Sequence, residues 1–156
     1  MFFVSDSLLG RQELIRSYTG KQAALGTLLS VVDFEWTVRR AIIALGYLPT
    51  KDVRTDIEKC SGAAAYKDKW KKHVSPRFEL SLDSVVPDWL ALKDGAFSMR
   101  HKIAHGAQVN PKEADAIEKR DIALHSSEAI CRFAVAHGID LYARLPIRRK
   151  PVELRR

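Results

Sequence analysis

The chain has 156 residues, which is enough for one domain whose hydrophobic core needs no stabilising disulfide or metal. Hydrophobic residues make up 46% of it, and no apolar run approaches the roughly 20 residues of a membrane-spanning helix, which excludes an integral helical membrane protein. Lysine and arginine number 26 against 19 acidic residues, and the resulting net charge of +7 favours polyanionic partners through long-range attraction.

Apolar residues at helical spacing predict helices along almost the whole chain. A modest first helix covers residues 5 to about 18, behind candidate N-caps at its start. A stronger second helix covers residues 21 to 45, and Gly46 is placed to end it. We expect this second helix to lie at the centre of the core.

Glu35 and Arg39 interrupt the apolar face of the second helix. They lie four residues apart on the face that carries Val32 and Ile42, so their side chains can bridge. One interpretation is an ion pair at the edge of the core. The other places both residues in a cleft or subunit interface near a functional motif, whose side chains they orient.

The segment from residue 49 to 86 predicts shorter elements. A turn at Pro49 leads into a short helix that Thr50 can cap and that runs to about residue 59. A second helix covers residues 63 to 73. The connection that follows includes a short extended piece at residues 78 to 82.

Aromatic side chains alternate with lysines in the helix at residues 63 to 73. Tyr66 and Trp70 share its apolar stripe, and Lys69 and Lys72 lie beside them. This combination can bind nucleic acid by stacking on bases and contacting phosphates. At this spacing, however, we expect the aromatic rings to pack inward while the lysines face solvent.

The next helix begins near Pro87 and carries the sequence Arg-His-Lys-Ile-Ala-His-Gly at residues 100 to 106, where Gly106 is suited to end it. Arg100 is permanently charged and can donate two hydrogen bonds to a phosphate, and His105 can accept or donate a proton. This pairing suits phosphate chemistry and indicates RNA cleavage. A long final helix follows, from a cap at Asn110 to about residue 137.

An arginine followed five positions later by a histidine occurs three times, whereas chance predicts about half of one such pair in this composition. The second copy, Arg120 and His125, has an acidic neighbour but lies within a continuous helix. The third copy, Arg132 and His137, ends in His-Gly but has an aromatic neighbour. A solvated helix face explains the second copy and a C-terminal helix cap the third. The same cap without catalysis is the alternative for the first copy.

Residues 97 to 106, Phe-Ser-Met-Arg-His-Lys-Ile-Ala-His-Gly, resemble the signature of the HEPN superfamily of small all-helical domains. That signature has an arginine, usually followed by a polar residue, and then a histidine a few positions later. Here His101 takes the polar position, where asparagine or aspartate is more usual. The resemblance is closest to stand-alone bacterial ribonuclease-like members, and outside the motif it extends only to the architecture of about residues 20 to 140.

The resemblance implies an all-α, HEPN-like up-and-down helical bundle. We expect it to form a single domain over residues 1–143, with the basic helical segment at residues 49 to 86 as an insertion. Residues 144–156 are rich in arginine, and Pro146 and Pro151 oppose a regular helix there. We therefore predict a mobile basic tail over residues 144–156.

The resemblance also implies a metal-independent endoribonuclease of a toxin or defence system, acting as a homodimer whose two motifs face one cleft. In that function Arg100 holds the scissile phosphate and His105 transfers a proton. RNA supplies its own nucleophile in the 2′-hydroxyl, so no cofactor is expected. Supporting roles fall to His101, Glu35 and Arg39, and RNA contacts to Lys102, Lys69 and Lys72.

The expected partners are RNA, a second copy of the chain and an antitoxin or regulatory protein. The alternative function is a non-catalytic HEPN-like module for RNA binding, protein binding or dimerisation. The N-terminal residues lack the basic start of a secretory signal, which predicts a cytoplasmic protein with no membrane contact.

Metal binding is the competing chemistry at the same motif. His101 and His105 are four residues apart and can chelate zinc, but the metalloprotease pattern needs a glutamate where this chain has Lys102. Cys60 and Cys131 are far apart and form no Cys-x-x-Cys pair, so we expect both to be buried. The sequence thus predicts no metal site.

Overall fold

Every regular element is helical in the computed structural model, which describes residues 7–20, 22–107 and 110–154. The helices are α1 (Leu8–Thr19), α2 (Ala23–Leu45), α3 (Thr50–Ile57), α4 (Ala63–His73), α5 (Ser75–Phe78), α6 (Leu82–Val85), a π-helical segment (Ala91–Phe97) that continues into α7 (Ser98–Ala104), and α8 (Glu113–Ala136). The predicted all-α class is confirmed. Over these described ranges, no helix is both long and apolar enough to cross a lipid bilayer.

The chain divides into two compact units. The first comprises Met1–Phe34 and Asp88–Glu128, and the second comprises Glu35–Pro87 and Ala129–Arg156. Two of the three boundaries fall inside the long helices α2 and α8, so each unit contains part of each, and the third lies between α6 and the π-helical segment. The single domain predicted over residues 1–143 stays a prediction, and the segment expected to be an insertion, residues 49 to 86, lies in the second unit.

The first unit packs α1 and the π-helical segment against the long helices. Ile15 of α1 and Leu124 of α8 are fully buried in one cluster. Phe97, at the end of the π-helical segment, meets Phe34 of α2 edge to face, with ring centroids 5.7 Å apart. Edge-to-face pairs of this kind add about 0.5–1.5 kcal/mol beyond their buried area. These contacts fix the helix that leads into the motif.

A buried ion pair joins α1 to α2 in the first unit. The Arg11 Nε atom lies 2.7 Å from Asp33 Oδ1, and the two side chains are 3% and 0% exposed. Removing one partner of such a pair leaves an uncompensated charge out of water, which costs about 3–5 kcal/mol. The pair therefore makes the α1–α2 packing specific.

The second unit buries the aromatic residues of α4. Tyr66 is 1% exposed and Trp70 is fully buried, and the Trp70 ring lies 5.8 Å from that of Phe133. The inward-packing interpretation of these aromatic residues is thus confirmed. The extended piece predicted at residues 78 to 82 is wrong: Glu79 ends α5 in a left-handed conformation, and the Leu80 carbonyl accepts hydrogen bonds before α6 begins.

The C-terminal segment is anchored to the end of α2. The Arg148 guanidinium donates to the carbonyls of Ile43 and Ala44, each at 2.6 Å, and the Val152 N–H donates to the Tyr47 carbonyl at 2.7 Å. The last carbonyls of a helix lack partners within it, and an arginine supplies the donors they need. Residues 148 to 152 therefore do not form the free basic tail that the sequence predicted.

Candidate functional site

The motif helix ends as the sequence predicted. The Gly106 N–H donates to the Ile103 carbonyl at 3.2 Å, and the Ala107 N–H donates to the Lys102 carbonyl at 2.8 Å. Gly106 has a φ of +72°, a left-handed conformation that glycine adopts without a Cβ penalty. Together these bonds form a Schellman motif. The chain thus leaves the helix immediately after His105.

The start of α7 is held by the first unit. Met99 is 8% exposed, and its Sδ atom lies 3.7 Å from the Thr27 hydroxyl of α2. The same hydroxyl lies 3.3 Å from the carbonyl oxygen of Ala116 in α8. The next residue, Arg100, is half-buried, whereas the helix becomes exposed beyond it. The packing therefore fixes the base of the motif and leaves its end in solvent.

His101 and His105 form a pair of exposed rings at this helix end. Their ring centroids are 4.3 Å apart, and the ring planes are inclined by 49°. Within the described part of the chain, no ring nitrogen of either residue takes part in a hydrogen bond. The backbone of His105, at φ −99° and ψ 11°, has already left helical geometry. Both imidazoles are exposed to solvent.

The third arginine–histidine copy ends its helix in the same way as the first. Gly138 has a φ of +76°, its N–H donates to the Val135 carbonyl, and the Ile139 N–H donates to the Ala134 carbonyl, both at 2.9 Å. The same Schellman motif therefore closes α8 and α7. An arginine–histidine–glycine pattern can thus arise from helix termination alone.

The histidines of the two Schellman motifs nevertheless differ in their contacts. His137 Nδ1 lies 2.8 Å from the Phe133 carbonyl, and since a carbonyl only accepts, this nitrogen carries the proton. Its ring also contacts those of Phe78 and Phe133, each with centroids 4.4 Å apart. The imidazole therefore caps its own helix. His105 has no such bond among the described residues.

In the second copy, the arginine rather than the histidine makes the local contact. The Arg120 side chain is 12% exposed, and its Nε atom donates to Asp121 Oδ1 at 2.9 Å. His125 is exposed on the body of α8. Arg120 is thus committed to its acidic neighbour. Only the Arg100 copy joins an exposed helix end to a histidine without hydrogen-bonded ring nitrogens in the described ranges.

Glu35 and Arg39 bind the loop between α3 and α4. Glu35 Oε1 accepts a hydrogen bond from the Gly62 N–H at 3.1 Å. The Arg39 guanidinium donates to the carbonyls of Ile57 and Cys60, at 3.1 and 2.8 Å, and to the Tyr66 hydroxyl. All of these residues belong to the second unit, whereas the motif belongs to the first. The loop contacts account for two polar residues on an apolar helix face.

Lys69 and Lys72 converge on one carboxylate, that of Asp56. Their Nζ atoms lie 2.9 and 3.1 Å from its oxygens, and Nε2 of the buried His73 lies 2.7 Å away. Hydrogen bonds from His73 and then Lys69 hold the pKa of Asp56 well below its usual range. The charges of these predicted RNA-binding lysines are thus partly neutralised, whereas Lys102 is exposed in the last turn of the motif helix.

A cleft of about 530 Å³ opens in the second unit. Its lining comes from two segments, residues 76 to 79 and 152 to 154, and includes Arg77, Glu79 and Glu153. Sequence reasoning missed this cleft because it predicted a mobile tail where one wall lies. No motif residue lines it. Across the described ranges, no group of three or more histidine, cysteine or acidic side chains is arranged to hold a metal.

The structure therefore brings together Arg100, His101, Lys102 and His105 on a single helix end, and it places Glu35, Arg39, Lys69 and Lys72 in the other unit. Comparison with known proteins adds nothing to this picture, since no family model, curated protein or solved structure matches the chain.

Proposed function

We propose that this chain is a cytoplasmic, metal-independent endoribonuclease of the HEPN type, with Arg100 and His105 as its catalytic pair. The observation that carries the proposal is the environment of His105. Its imidazole is exposed at a firmly terminated helix end, five residues after an arginine, and within the described ranges its ring nitrogens make no hydrogen bond. In the third copy the histidine is hydrogen-bonded to its own helix, and in the second copy it lies in the body of α8 rather than at a helix end.

RNA provides the nucleophile for this reaction. His105 removes the proton of a 2′-hydroxyl, whose oxygen forms a bond to the adjacent phosphorus while the bond to the 5′-oxygen breaks. Arg100 donates to the phosphate oxygens and stabilises their growing negative charge. Proton transfer contributes about 10²–10⁴-fold in rate, and charge stabilisation contributes several kcal/mol more. The products are a 2′,3′-cyclic phosphate and a 5′-hydroxyl, for which a proton donor is needed at the leaving oxygen.

Water protonates the leaving 5′-oxygen, and a second copy of the chain completes the arginine–histidine pair in the proposed homodimer. Five residues along an ideal helix rotate by about 140°, so Arg100 and His105 do not project in one direction. An isologous interface brings the same helix end to itself across a two-fold axis, so each site takes groups from both chains. His101 and Lys102 assist with RNA contacts there. In a toxin or defence system, an antitoxin or regulatory partner would cover this cleft.

The reaction chemistry can be tested with synthetic RNA in excess chelator. We expect wild-type protein to release a 2′,3′-cyclic phosphate, and a single 2′-deoxyribose at the cleavage position to block cleavage there. Arg100→Ala and His105→Ala should each lower the rate of product formation by at least about 10²-fold, whereas His125→Ala should retain it. Cleavage at the wild-type rate in both motif variants would refute the assignment of the site.

The composite arrangement can be tested by mixing inactive variants. If each site takes Arg100 from one chain and His105 from the other, a mixed dimer of Arg100→Ala and His105→Ala contains one intact site. Random exchange should then restore about a quarter of the wild-type activity, since half of the dimers are mixed and each has one working site. Mixing that restores no activity, with exchange verified by differently tagged chains, would contradict shared sites.

A non-catalytic module for RNA binding, protein binding or dimerisation is the second candidate. The recurrence of the Schellman motif at Gly138 favours it, because that helix end shows how the pattern forms without a site. This function predicts salt-dependent RNA binding with no cleavage under any condition, and the same affinity in His105→Ala as in the wild type.

A further inference from the structure

The two histidines of the motif helix have the spacing at which a pair of imidazoles can bind one metal ion. They lie one helical turn apart, and their ring centroids are already 4.3 Å apart. Zinc binds imidazole nitrogen at about 2.0–2.1 Å, which places two nitrogens about 3.3 Å from each other around a tetrahedral ion. Two histidines four residues apart lie on one face of a helix, so both imidazoles can reach the same ion.

The ring nitrogens of this pair are available to a metal. Both side chains are exposed, and their nitrogens make no hydrogen bond within residues 7–20, 22–107 and 110–154. The other histidines are less suited: His73 is buried against Asp56, His137 is bonded to its own helix, and His125 has no second histidine one turn away. The pair is therefore the best zinc ligand set among the chain's histidines.

We infer that His101 and His105 together bind one Zn²⁺ ion per chain, and that bound zinc switches the motif off. Water fills the remaining coordination positions, because the described residues provide no third ligand in a cluster. The side chain of Lys102 lies about 100° around the helix from His101 and does not enter the chelate. Such a two-histidine site binds zinc reversibly and responds to its concentration.

The inhibitory effect follows from coordination chemistry and rests on the proposed function. A zinc ion takes the imidazole lone pair with which His105 accepts the proton of the 2′-hydroxyl, so the metal-bound chain has no general base at that position. Zinc thus acts on this site as an inhibitor that a chelator removes. Metal binding by the pair does not itself depend on the ribonuclease assignment.

The binding arm of the test uses the full chain and zinc chloride in chelator-free buffer. We expect calorimetry to give one ion per chain, and the imidazole NMR signals of His101 and His105 to shift together. His101→Ala and His105→Ala should each weaken binding by at least about tenfold, because the second imidazole binds intramolecularly. His125→Ala, which removes a single exposed histidine, should bind as the wild type does. Equal affinity in all four proteins, or no binding by the wild type, would overturn the site.

The activity arm compares RNA cleavage with and without zinc in each protein. Zinc should inhibit the wild type and His125→Ala, and excess chelator should restore both. Zinc that occupies the pair without slowing cleavage would overturn the inhibitory role. A wild type that binds zinc but cleaves no RNA even in chelator would refute the proposed function and leave zinc binding by the pair supported.

Discussion

Gly106→Ala and Gly138→Ala form a matched pair that separates helix termination from function. Both glycines occupy the same position of a Schellman motif, with φ of +72° and +76°, and an added Cβ would meet no atom within 4 Å at either. The only cost is the left-handed backbone, about 1–2 kcal/mol for a residue with a Cβ. We expect each variant to lose about that much free energy of unfolding.

Thermal and urea unfolding measure this prediction directly. For a chain of this size, 1 kcal/mol corresponds to a fall in Tm of about 2–4 °C. The two variants should therefore unfold alike, while RNA cleavage should fall in Gly106→Ala, whose terminus carries His105, and stay near wild type in Gly138→Ala. If Gly106→Ala is as stable as the wild type, the left-handed conformation of Gly106 is refuted. Equal loss of cleavage in both variants would show that the effect is one of stability alone.

Three further predictions concern side-chain contacts that lie within one unit or the other. Arg148→Ala should destabilise the protein by about 2–4 kcal/mol in urea unfolding, because it removes charged hydrogen bonds to buried helix-end carbonyls, whereas the exposed Arg149→Ala should change little. Asp33→Ala should lower the free energy of unfolding by about 3–5 kcal/mol, because it leaves the buried charge of Arg11 without its partner. The double variant Asp33→Leu/Arg11→Met removes both charges and should recover part of that loss. If it recovers nothing, an uncompensated charge is not the cause. Asp56→Asn should be less stable than wild type at pH 7, and the difference should shrink as pH falls below about 4. The pKa of Asp56 is lower in the folded protein than in the unfolded chain, so its carboxylate stabilises the fold fully above the unfolded-chain pKa and progressively less below it. A pH-independent difference would refute this.

Features that depend on neighbouring residues were predictable from the sequence. The helix stops at Gly46 and Gly106, the long helices α2 and α8, and the burial of Tyr66 and Trp70 were all predicted from periodicity and capping residues. Local rules suffice there, because the bonds that end a helix join residues five or fewer positions apart. The same rules identified the three arginine–histidine copies.

Features set by distant partners were not predictable. Arg148 binds the carbonyl of Ile43, 105 positions away, and nothing in an arginine-rich tail indicates this contact. Glu35 and Arg39 were recognised as anomalous on an apolar face, but their partners in the loop before α4 emerge only from the folded chain. The three arginine–histidine copies were ranked from their sequence context, but contacts such as that of His137 with the Phe133 carbonyl emerge only from the folded chain.

The account is tested most directly by the rate of RNA cleavage by wild-type protein, His105→Ala and His125→Ala, measured with excess chelator. Because His105 is the proposed proton carrier, its removal should lower the rate by about 10²–10⁴-fold. The exposed His125 lies in the body of α8 rather than at a helix end, so its variant should cleave at the wild-type rate. Equal rates in all three proteins would contradict the central claim that the Arg100–His105 helix end is the catalytic site.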